Sequence, residues 1–221
     1  NVYGGLQDNG SVKGPSSKRN GPVKLEDWAR VGGGDGMYNA VDRTNNRFLY
    51  NESQFGPIQR LDMLTGESTS ITSQWRREMR WNWNSPIAVS QHNSDVIYHA
   101  GNKVLKSTYR GENWEQISPD LTNPDSVKIK GTGNIQYGTI TTFEESPINP
   151  DELWVGTDDG NVQVTVNGGK DWTDVTNNIP NNPKYWVSRV EASAHNPGTA
   201  YVSYTGLRRD DFKAYVYKTT D

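Results

Sequence analysis

Apolar and polar residues alternate along this chain in short runs, and no stretch keeps the 3.6-residue period of an amphipathic helix. Val and Thr recur within the runs, while Gly, Asn and Asp recur between them. Short runs rich in β-branched residues and bounded by turn-forming residues are typical of β-strands joined by tight turns. The pattern therefore predicts an all-β protein.

A second pattern recurs at a nearly constant interval. An Asn is followed five positions later by Tyr or Trp, as in Asn45 to Tyr50 and Asn149 to Trp154, and the N-terminal Tyr3 continues the register. The aromatic members are Tyr3, Tyr50, Tyr98, Trp154 and Tyr201, separated by 47, 48, 56 and 47 residues. Near-equal intervals indicate one structural unit that repeats about every 50 residues.

Each repeat reads as four strands, of which the second carries the aromatic residue and the fourth begins near a Trp. Four-stranded units of this length are typical of β-propeller blades. The sequence predicts a partial propeller of about four and a half blades, with blade parts at 1–31, 36–71, 86–118, 139–176 and 187–221. Because the first and last parts each lack a strand, we expect one segment of a larger propeller, with the remainder of that longer chain as its partner.

The turn between the third and fourth strands carries the most specific pattern, Ser/Thr-x-Asp-x-Gly-x-x-Trp, known as the Asp box. In such a turn a short polar side chain caps amides, Gly takes a positive φ and Trp packs between sheets. We therefore expect a structural role for its members. They are Thr165, Asn167, Gly169 and Trp172 in one turn, Ser107, Gly111 and Trp114 in another, and Thr219 and Asp221 at the start of a third.

Function in a repeat protein is expected where the repeats differ, because loops carry binding groups on a common frame. Ten positions before each repeat Asn, ahead of the predicted inner strand, the residue is Asp, Trp, Thr or Trp. Aromatic rings beside carboxylates suit the binding of a glycan, peptide or protein. The binding hypothesis names Asp35, Trp81, Trp83, Trp186, Asp8, Asp158 and Asp159. The alternative is that these Trp residues pack between blades and the carboxylates cap turns.

Composition and charge exclude several classes of protein. Only 41 of the 221 residues are Leu, Ile, Val or Phe, but 8 Trp and 11 Tyr can supply a core. The net charge of −3, with both signs scattered, argues against nucleic-acid binding, and no apolar run is long enough for a membrane span. With no Cys and no His pair at metal-ligand spacing, we expect neither a metal nor another cofactor.

Several segments resemble the large secreted bacterial proteins with Asp-box (BNR) repeats. They are GGLQDNGS at 4–11, GGGDG at 32–36, WNWNSPIAVS at 81–90 and the run from 146 to 172. Propellers of that group are similar to the ten-bladed sortilin domain and to xyloglucanase and sialidase propellers. The resemblance implies an extracellular, periplasmic or cell-surface setting and a much longer parent protein.

The resemblance assigns no catalytic residue. The Arg-Ile-Pro segment of a sialidase-like site does not occur, and a xyloglucanase-like site needs two carboxylates across a cleft. Two hypotheses therefore stand. The first is a non-enzymatic binding or scaffold propeller segment, and the alternative is a fragment of a glycoside hydrolase.

Overall fold

The computed structural model describes residues 1–123, 125–130 and 135–220. In these residues the chain forms five antiparallel sheets, here named I to V, and the strands of each sheet are hydrogen-bonded in chain order. The predicted all-β class is confirmed. Only short helices interrupt the strands, because the connections are rich in Gly, Asn and Pro and carry no helical period.

The three central sheets have four strands each, and the two flanking sheets have three. Sheet I contains β1 (Val2–Leu6), β2 (Gly10–Gly14) and β3 (Ala29–Gly32). Sheet II contains β4 (Gly36–Val41), β5 (Phe48–Ser53), β6 (Ile58–Asp62) and β7 (Ser68–Ser70). Sheet III contains β8 (Ile87–Val89), β9 (Ile97–Ala100), β10 (Val104–Ser107) and β11 (Glu115–Gln116).

Sheet IV contains β12 (Ile140–Glu145), β13 (Leu153–Thr157), β14 (Val162–Thr165) and β15 (Thr173–Asp174). Sheet V contains β16 (Trp186–Ala192), β17 (Ala200–Gly206) and β18 (Asp211–Thr219). Single turns of 3-10 helix lie at Leu25–Asp27, Gln74–Arg77, Thr176–Asn178 and Leu207–Arg209, and one α-helical turn, α1, at Ser126–Ile129.

Neighbouring sheets pack face to face around three apolar clusters, one each between II and III, III and IV, and IV and V. The repeated aromatic residues occupy corresponding strands in all five sheets. Tyr50, Tyr98 and Trp154 are buried, whereas Tyr201 is 42% exposed. Large rings thus fill much of the space between sheets, which explains how a chain with few aliphatic residues builds a core.

Two turns between third and fourth strands share one geometry. The Ser107 hydroxyl accepts hydrogen bonds from the backbone amides of Gly111 (2.9 Å) and Tyr109 (3.3 Å). The Trp114 indole then crosses to the previous sheet and donates to the carbonyl of Ile71 at 2.7 Å. The capped turn therefore aims a buried ring into the interface between sheets II and III.

The corresponding turn of sheet IV repeats these contacts. The Thr165 hydroxyl accepts from the Gly169 amide at 3.0 Å and donates to the Asn167 carboxamide at 2.9 Å. The Trp172 indole donates to the carbonyl of Ile117 at 2.9 Å. Asn167 therefore stands at the Asp position of the pattern Ser/Thr-x-Asp-x-Gly-x-x-Trp. In sheet V, Thr219 ends β18, and Asp221 lies outside the described residues.

A further repeated device closes each four-stranded sheet. The hydroxyls of Thr72, Ser118 and Thr176 accept from the first amide of the third strand at 3.0, 2.8 and 2.9 Å. Each hydroxyl residue lies 14 positions after its partner, a spacing that sequence analysis did not single out. The contact satisfies a strand-end amide that would otherwise be left without a partner.

Candidate functional site

The loop face of the molecule combines the connections between sheets with the turns that join second and third strands. The first two such turns meet through Asp35, whose carboxylate accepts from the backbone amide of Asp8 at 2.8 Å. The Asp35 amide in turn donates to the side chain of Gln54 at 2.9 Å. The structure thus brings Asp8 and Asp35 together, with the Asp35 carboxylate capping the turn of sheet I.

Two of the three Trp residues of the 71–86 connection, Trp81 and Trp83, have different environments. Trp83 is partly exposed and meets Phe55 edge to face, with 5.0 Å between ring centroids. Trp81 is only 4% exposed, its indole donates to the carbonyl of Arg76 at 2.9 Å, and its ring stacks on His99 at 4.3 Å. Trp81 is therefore a core residue, and the expectation that it lies on the open face was wrong.

Asp158 is fastened to the connection between sheets III and IV. Its carboxylate accepts from the backbone amides of Gly138 (3.1 Å) and Thr139 (3.0 Å) and from the Thr139 hydroxyl (2.9 Å). Burial raises the pKa of Asp158 to about 6 in spite of these hydrogen bonds. The carboxyl group therefore holds a loop while keeping a proton affinity well above that of a free Asp.

Asp159 belongs to the same carboxyl cluster. It accepts from the Thr157 hydroxyl and from the Asn123 amide, the latter at 2.6 Å, and burial raises its pKa. Asp120 is close enough to add to that increase by charge repulsion. The structure thus groups Asp120, Asp158 and Asp159, of which sequence analysis named only the last two.

Arg80 anchors this cluster from the preceding connection. Its guanidinium contacts the Asp120 carboxylate at 2.7 Å and the Gly138 carbonyl at 3.0 Å. Burial tends to raise the pKa of Asp120, but hydrogen bonds from Thr122 and Arg80 outweigh it and lower that pKa. The cluster therefore combines an ionised Asp with neighbouring carboxyls of raised pKa, an arrangement that can accept hydroxyl hydrogen bonds or hold a proton.

Trp186 lies at the start of the inner strand of sheet V. It is partly exposed, and the Arg208 guanidinium lies over its ring at 4.7 Å from the centroid. Neighbouring Tyr185 donates its hydroxyl to the Asp211 carboxylate at 3.2 Å. These residues give sheet V an aromatic and charged surface of its own on the loop face.

A second polar cluster, the inner-strand cluster, joins sheets IV and V through Glu144, Arg189 and Glu191. Arg189 contacts Glu191 at 2.7 Å and Glu144 at 3.4 Å, beside a cavity of about 380 Å³. Burial and the neighbouring Glu191 charge raise the pKa of Glu144 to about 7. Sequence analysis missed this cluster. Charged residues in or beside the predicted inner strands could have indicated it, because such strands are expected to be apolar.

Within the described residues, no group of three or more His, Asp and Glu side chains is arranged to hold a metal ion. In the same part of the chain, no helix is long and apolar enough to cross a membrane.

No family model matches the chain, and no curated protein matches its sequence. Solved structures do match. The GH74 xyloglucanase from Xanthomonas campestris aligns with a TM-score of 0.65 at 17% identity, over 99% of this chain and 34% of its own. The fold is that of a β-propeller. A domain of RRP9 WD40 repeats aligns with a TM-score of 0.58 at 11% identity, over 97% of this chain and 61% of its own.

A third similar structure is the GH74 enzyme of Niastella koreensis, with a TM-score of 0.53 at 19% identity over 84% of this chain. The propeller segment therefore spans 28% and 34% of the two GH74 chains. Identities this low establish the architecture alone, because one fold carries many functions. The prediction of a propeller like those of glycoside hydrolases is confirmed, and the prediction of similarity to sortilin remains a prediction.

Proposed function

We propose that this β-propeller segment is a non-catalytic binding module whose loop face recognises a glycan. The observation that carries the proposal is the use of the candidate carboxylates. Asp35 caps the turn of sheet I, and Asp158 holds the connection between sheets III and IV. Carboxylates bound to backbone amides are held in place as structural acceptors, which favours a rigid binding surface over a reacting pair.

The partly exposed rings supply the complementary feature. Trp83 and Trp186 remain open on the loop face, each held in place by a neighbouring side chain. An indole face stacks on the apolar face of a sugar ring, and nearby Asp and Arg groups orient its hydroxyls. The GH74 neighbour from Xanthomonas campestris is described as a xyloglucanase, so xyloglucan-type polysaccharides are the first ligands to test.

The binding test uses calorimetric titration of the protein with xyloglucan oligosaccharides. We expect Trp186→Ala and Trp83→Ala each to weaken binding about tenfold, the loss of one stacking contact. Trp28→Ala is the matched control, because Trp28 is also exposed but packs over Gly14 in sheet I. Binding that is absent, or that falls equally in all three variants, would contradict the proposal.

A glycoside hydrolase is the second candidate, and the carboxyl cluster favours it. Asp158, with its pKa raised to about 6, lies near Asp159 and Asp120, and a paired acid and base of this kind cleaves glycosidic bonds. Release of reducing ends from xyloglucan that is abolished by Asp158→Asn and retained by Asp35→Asn would establish it. The absence of release from the unmodified protein would leave the binding module as the function.

The setting follows from the same proposal. A glycan-binding propeller segment acts where polysaccharide is present, so we place the protein outside the cell, in the periplasm or at the cell surface. We also propose that the segment packs in cis against the remaining blades of a longer chain, because propellers protect their sheet edges by completing the ring. Fractionation of the producing cells tests the first statement, and the mass of the endogenous protein tests the second.

A further inference from the structure

The turn between β5 and β6 holds a bulky residue in a conformation that such side chains rarely adopt. Phe55 has a φ of +64°, in the left-handed region that favours Gly, Asn and Asp. Asp8 holds the corresponding place in the turn of sheet I, 47 residues earlier, with a φ of +63°. A short polar side chain therefore suffices for this turn, and Phe55 adds backbone strain. Strain of this kind clusters at functional sites, where the side chain is needed for binding.

The Phe55 ring forms one half of an aromatic pair on the loop face. It meets the Trp83 ring nearly at right angles, with an interplanar angle of 85° and 5.0 Å between centroids. The Phe55 amide also donates to the Trp83 carbonyl at 3.4 Å. Both residues are partly exposed, and an edge-to-face contact covers the face of one ring only. The pair therefore offers an open aromatic face whose orientation is fixed by the neighbouring ring.

A buried carboxyl group holds the two backbone segments that carry these rings. Glu52 is 1% exposed, and its Oε1 atom accepts from the amides of Gly56 at 3.2 Å and Ser85 at 3.3 Å. Gly56 directly follows Phe55, and Ser85 lies two residues after Trp83. One oxygen atom thus joins the β5–β6 turn of sheet II to the connection that leads into sheet III.

Glu52 holds these segments as a hydrogen-bond acceptor rather than as a charge. Burial raises its pKa well above the ordinary value, and its second oxygen, Oε2, is buried without a hydrogen-bond partner among the residues that the structure describes. A neutral carboxyl group offers the two amides a carbonyl oxygen, and the side chain of Gln offers the same kind of oxygen at the same length. Gln is therefore the conservative replacement for Glu52, whereas Leu removes the acceptor.

A carboxylate adjoins the aromatic pair on its other side. The Asp35 amide donates to the Gln54 side chain at 2.9 Å, and the Gln54 amide donates to the Asp35 carbonyl at 3.2 Å. Gln54 directly precedes Phe55, so the Asp35 loop is fastened to the turn that carries the ring. The Asp35 carboxylate accepts one amide, from Asp8, and a carboxylate has lone pairs for further donors. An acceptor beside an aromatic face suits a ring-shaped ligand with hydroxyl groups.

We propose that Phe55 and Trp83 form one ring-stacking subsite for a single pyranose unit of a glycan, and that the buried Glu52 is the positioning residue of this subsite. The sugar as ligand rests on the proposed function. The role of Glu52 rests on the contacts within the protein. Trp186 lies on sheet V and is a separate stacking contact, so the two contacts should contribute to binding independently.

Calorimetric titration with xyloglucan oligosaccharides tests the subsite. Phe55→Ala should weaken binding about tenfold, as Trp83→Ala should, because each change disrupts the same subsite. The double variant Phe55→Ala/Trp83→Ala should lose little more than either single variant, whereas Phe55→Ala/Trp186→Ala should lose about a hundredfold. Tyr109→Ala is the matched control, because Tyr109 carries a 65% exposed ring on the turn between β10 and β11, away from the loop face.

The role of Glu52 is tested without a ligand, by fluorine NMR of protein that contains fluorotryptophan. The Trp83 resonance is the one that disappears in Trp83→Phe. Glu52→Leu should shift this resonance and weaken glycan binding about tenfold, whereas Glu52→Gln should leave both close to the parent protein. Glu52→Asp withdraws the acceptor by one methylene and should shift the resonance even if the Leu variant does not fold. Circular dichroism of each variant separates a displaced ring from lost folding.

Three results would contradict the proposal in different ways. Unchanged affinity in Phe55→Ala, or fully additive losses in Phe55→Ala/Trp83→Ala, would overturn the shared subsite and leave the proposed function standing. No binding by the parent protein would overturn the proposed function and the sugar ligand together, and the fluorine spectra would still decide the role of Glu52. A Trp83 resonance that is unmoved by Glu52→Leu and Glu52→Asp, or that shifts equally in Glu52→Gln, would overturn that role.

Discussion

The interface between sheets II and III and the interface between sheets IV and V are built alike and closed differently. In the first, the Trp114 ring is 7% exposed and fastened to Ile71. In the second, the corresponding carbonyl of Val175 borders an open groove. The Ile71 and Val175 carbonyls occupy corresponding positions, because the backbone amide of each of these residues bonds the residue that opens the third strand of its sheet. The comparison shows that the Trp114 ring occupies the position that is open at the corresponding place between sheets IV and V.

The same two interfaces also differ in their ionisable groups. His99 is buried between sheets II and III, where burial lowers the pKa of its ring to about 3. Glu144, between sheets IV and V, has its pKa raised to about 7 by burial first and by Glu191 second. Burial favours the neutral form of both groups, but the two pKa shifts make stability depend on pH in opposite directions.

The largest effect should come from converting the closed interface into an open one. Trp114→Ala removes a buried ring from the II–III cluster and leaves the Ile71 carbonyl without its indole donor. We expect the free energy of unfolding, measured by urea denaturation at pH 7, to fall by about 3–5 kcal/mol. Trp28→Ala, at a 38% exposed ring, should cost about 1 kcal/mol. Equal losses would mean that closure of the interface is not what Trp114 provides.

The second largest effect is expected at Gly169, where the turn between the third and fourth strands of sheet IV approaches sheet III. Gly169 has a φ of +96°, and an added Cβ would lie 2.6 Å from the Ile117 carbonyl oxygen. Gly169→Ala therefore adds a backbone clash to conformational strain, and we expect a loss of about 2–4 kcal/mol by urea denaturation. Gly66→Ala is matched in φ, at +78°, but meets open space, so it should lose only about 1 kcal/mol.

These residues also show how far sequence reasoning reached. The all-β propeller could be predicted because the repeated Asn, Gly and Trp positions each impose a local turn or contact. The candidate site could not be resolved in the same way. Trp81 and Trp83 lie two residues apart in an irregular connection, and no periodicity distinguishes the buried ring from the exposed one. Asp120 was missed because its partners Arg80 and Asn102 are distant in sequence.

The third effect tests the ionisable group between sheets IV and V. Because the folded pKa of Glu144 is about 7, above the ordinary value of 4.5, the folded state keeps its proton longer than the unfolded state. The contribution of Glu144 to stability is therefore complete below pH 4.5 and is lost as the pH rises from 4.5 through 7. Glu144→Gln should flatten this fall and make the variant about 1–2 kcal/mol more stable than the parent protein at pH 8.

The control for that measurement is Glu115→Gln at an exposed position of β11, which should leave the pH profile unchanged. Urea denaturation at pH 4, 6 and 8 supplies the profile. If Glu144→Gln is less stable at every pH, the Arg189 contact outweighs the burial of the carboxyl group, and the inner-strand cluster stabilises the IV–V interface after all.

The smallest effect at neutral pH is expected at His99. Both ring nitrogens are buried without a hydrogen-bond partner among the residues that the structure describes. Phe would remove these nitrogens and keep the ring stacked on Trp81, so His99→Phe should change stability at pH 7 by less than about 1 kcal/mol. The pKa of His99 is about 3 in the folded state, below the ordinary value of 6.5. Between pH 6.5 and pH 3, His99 therefore takes up a proton in the unfolded state but not in the folded state. The parent protein should lose stability as the pH falls from 6.5 toward 3, and the variant should lose less. Parallel pH profiles for the two proteins would show that His99 titrates alike in the folded and unfolded states, and the acid sensitivity assigned to the closed interface would then have to arise elsewhere.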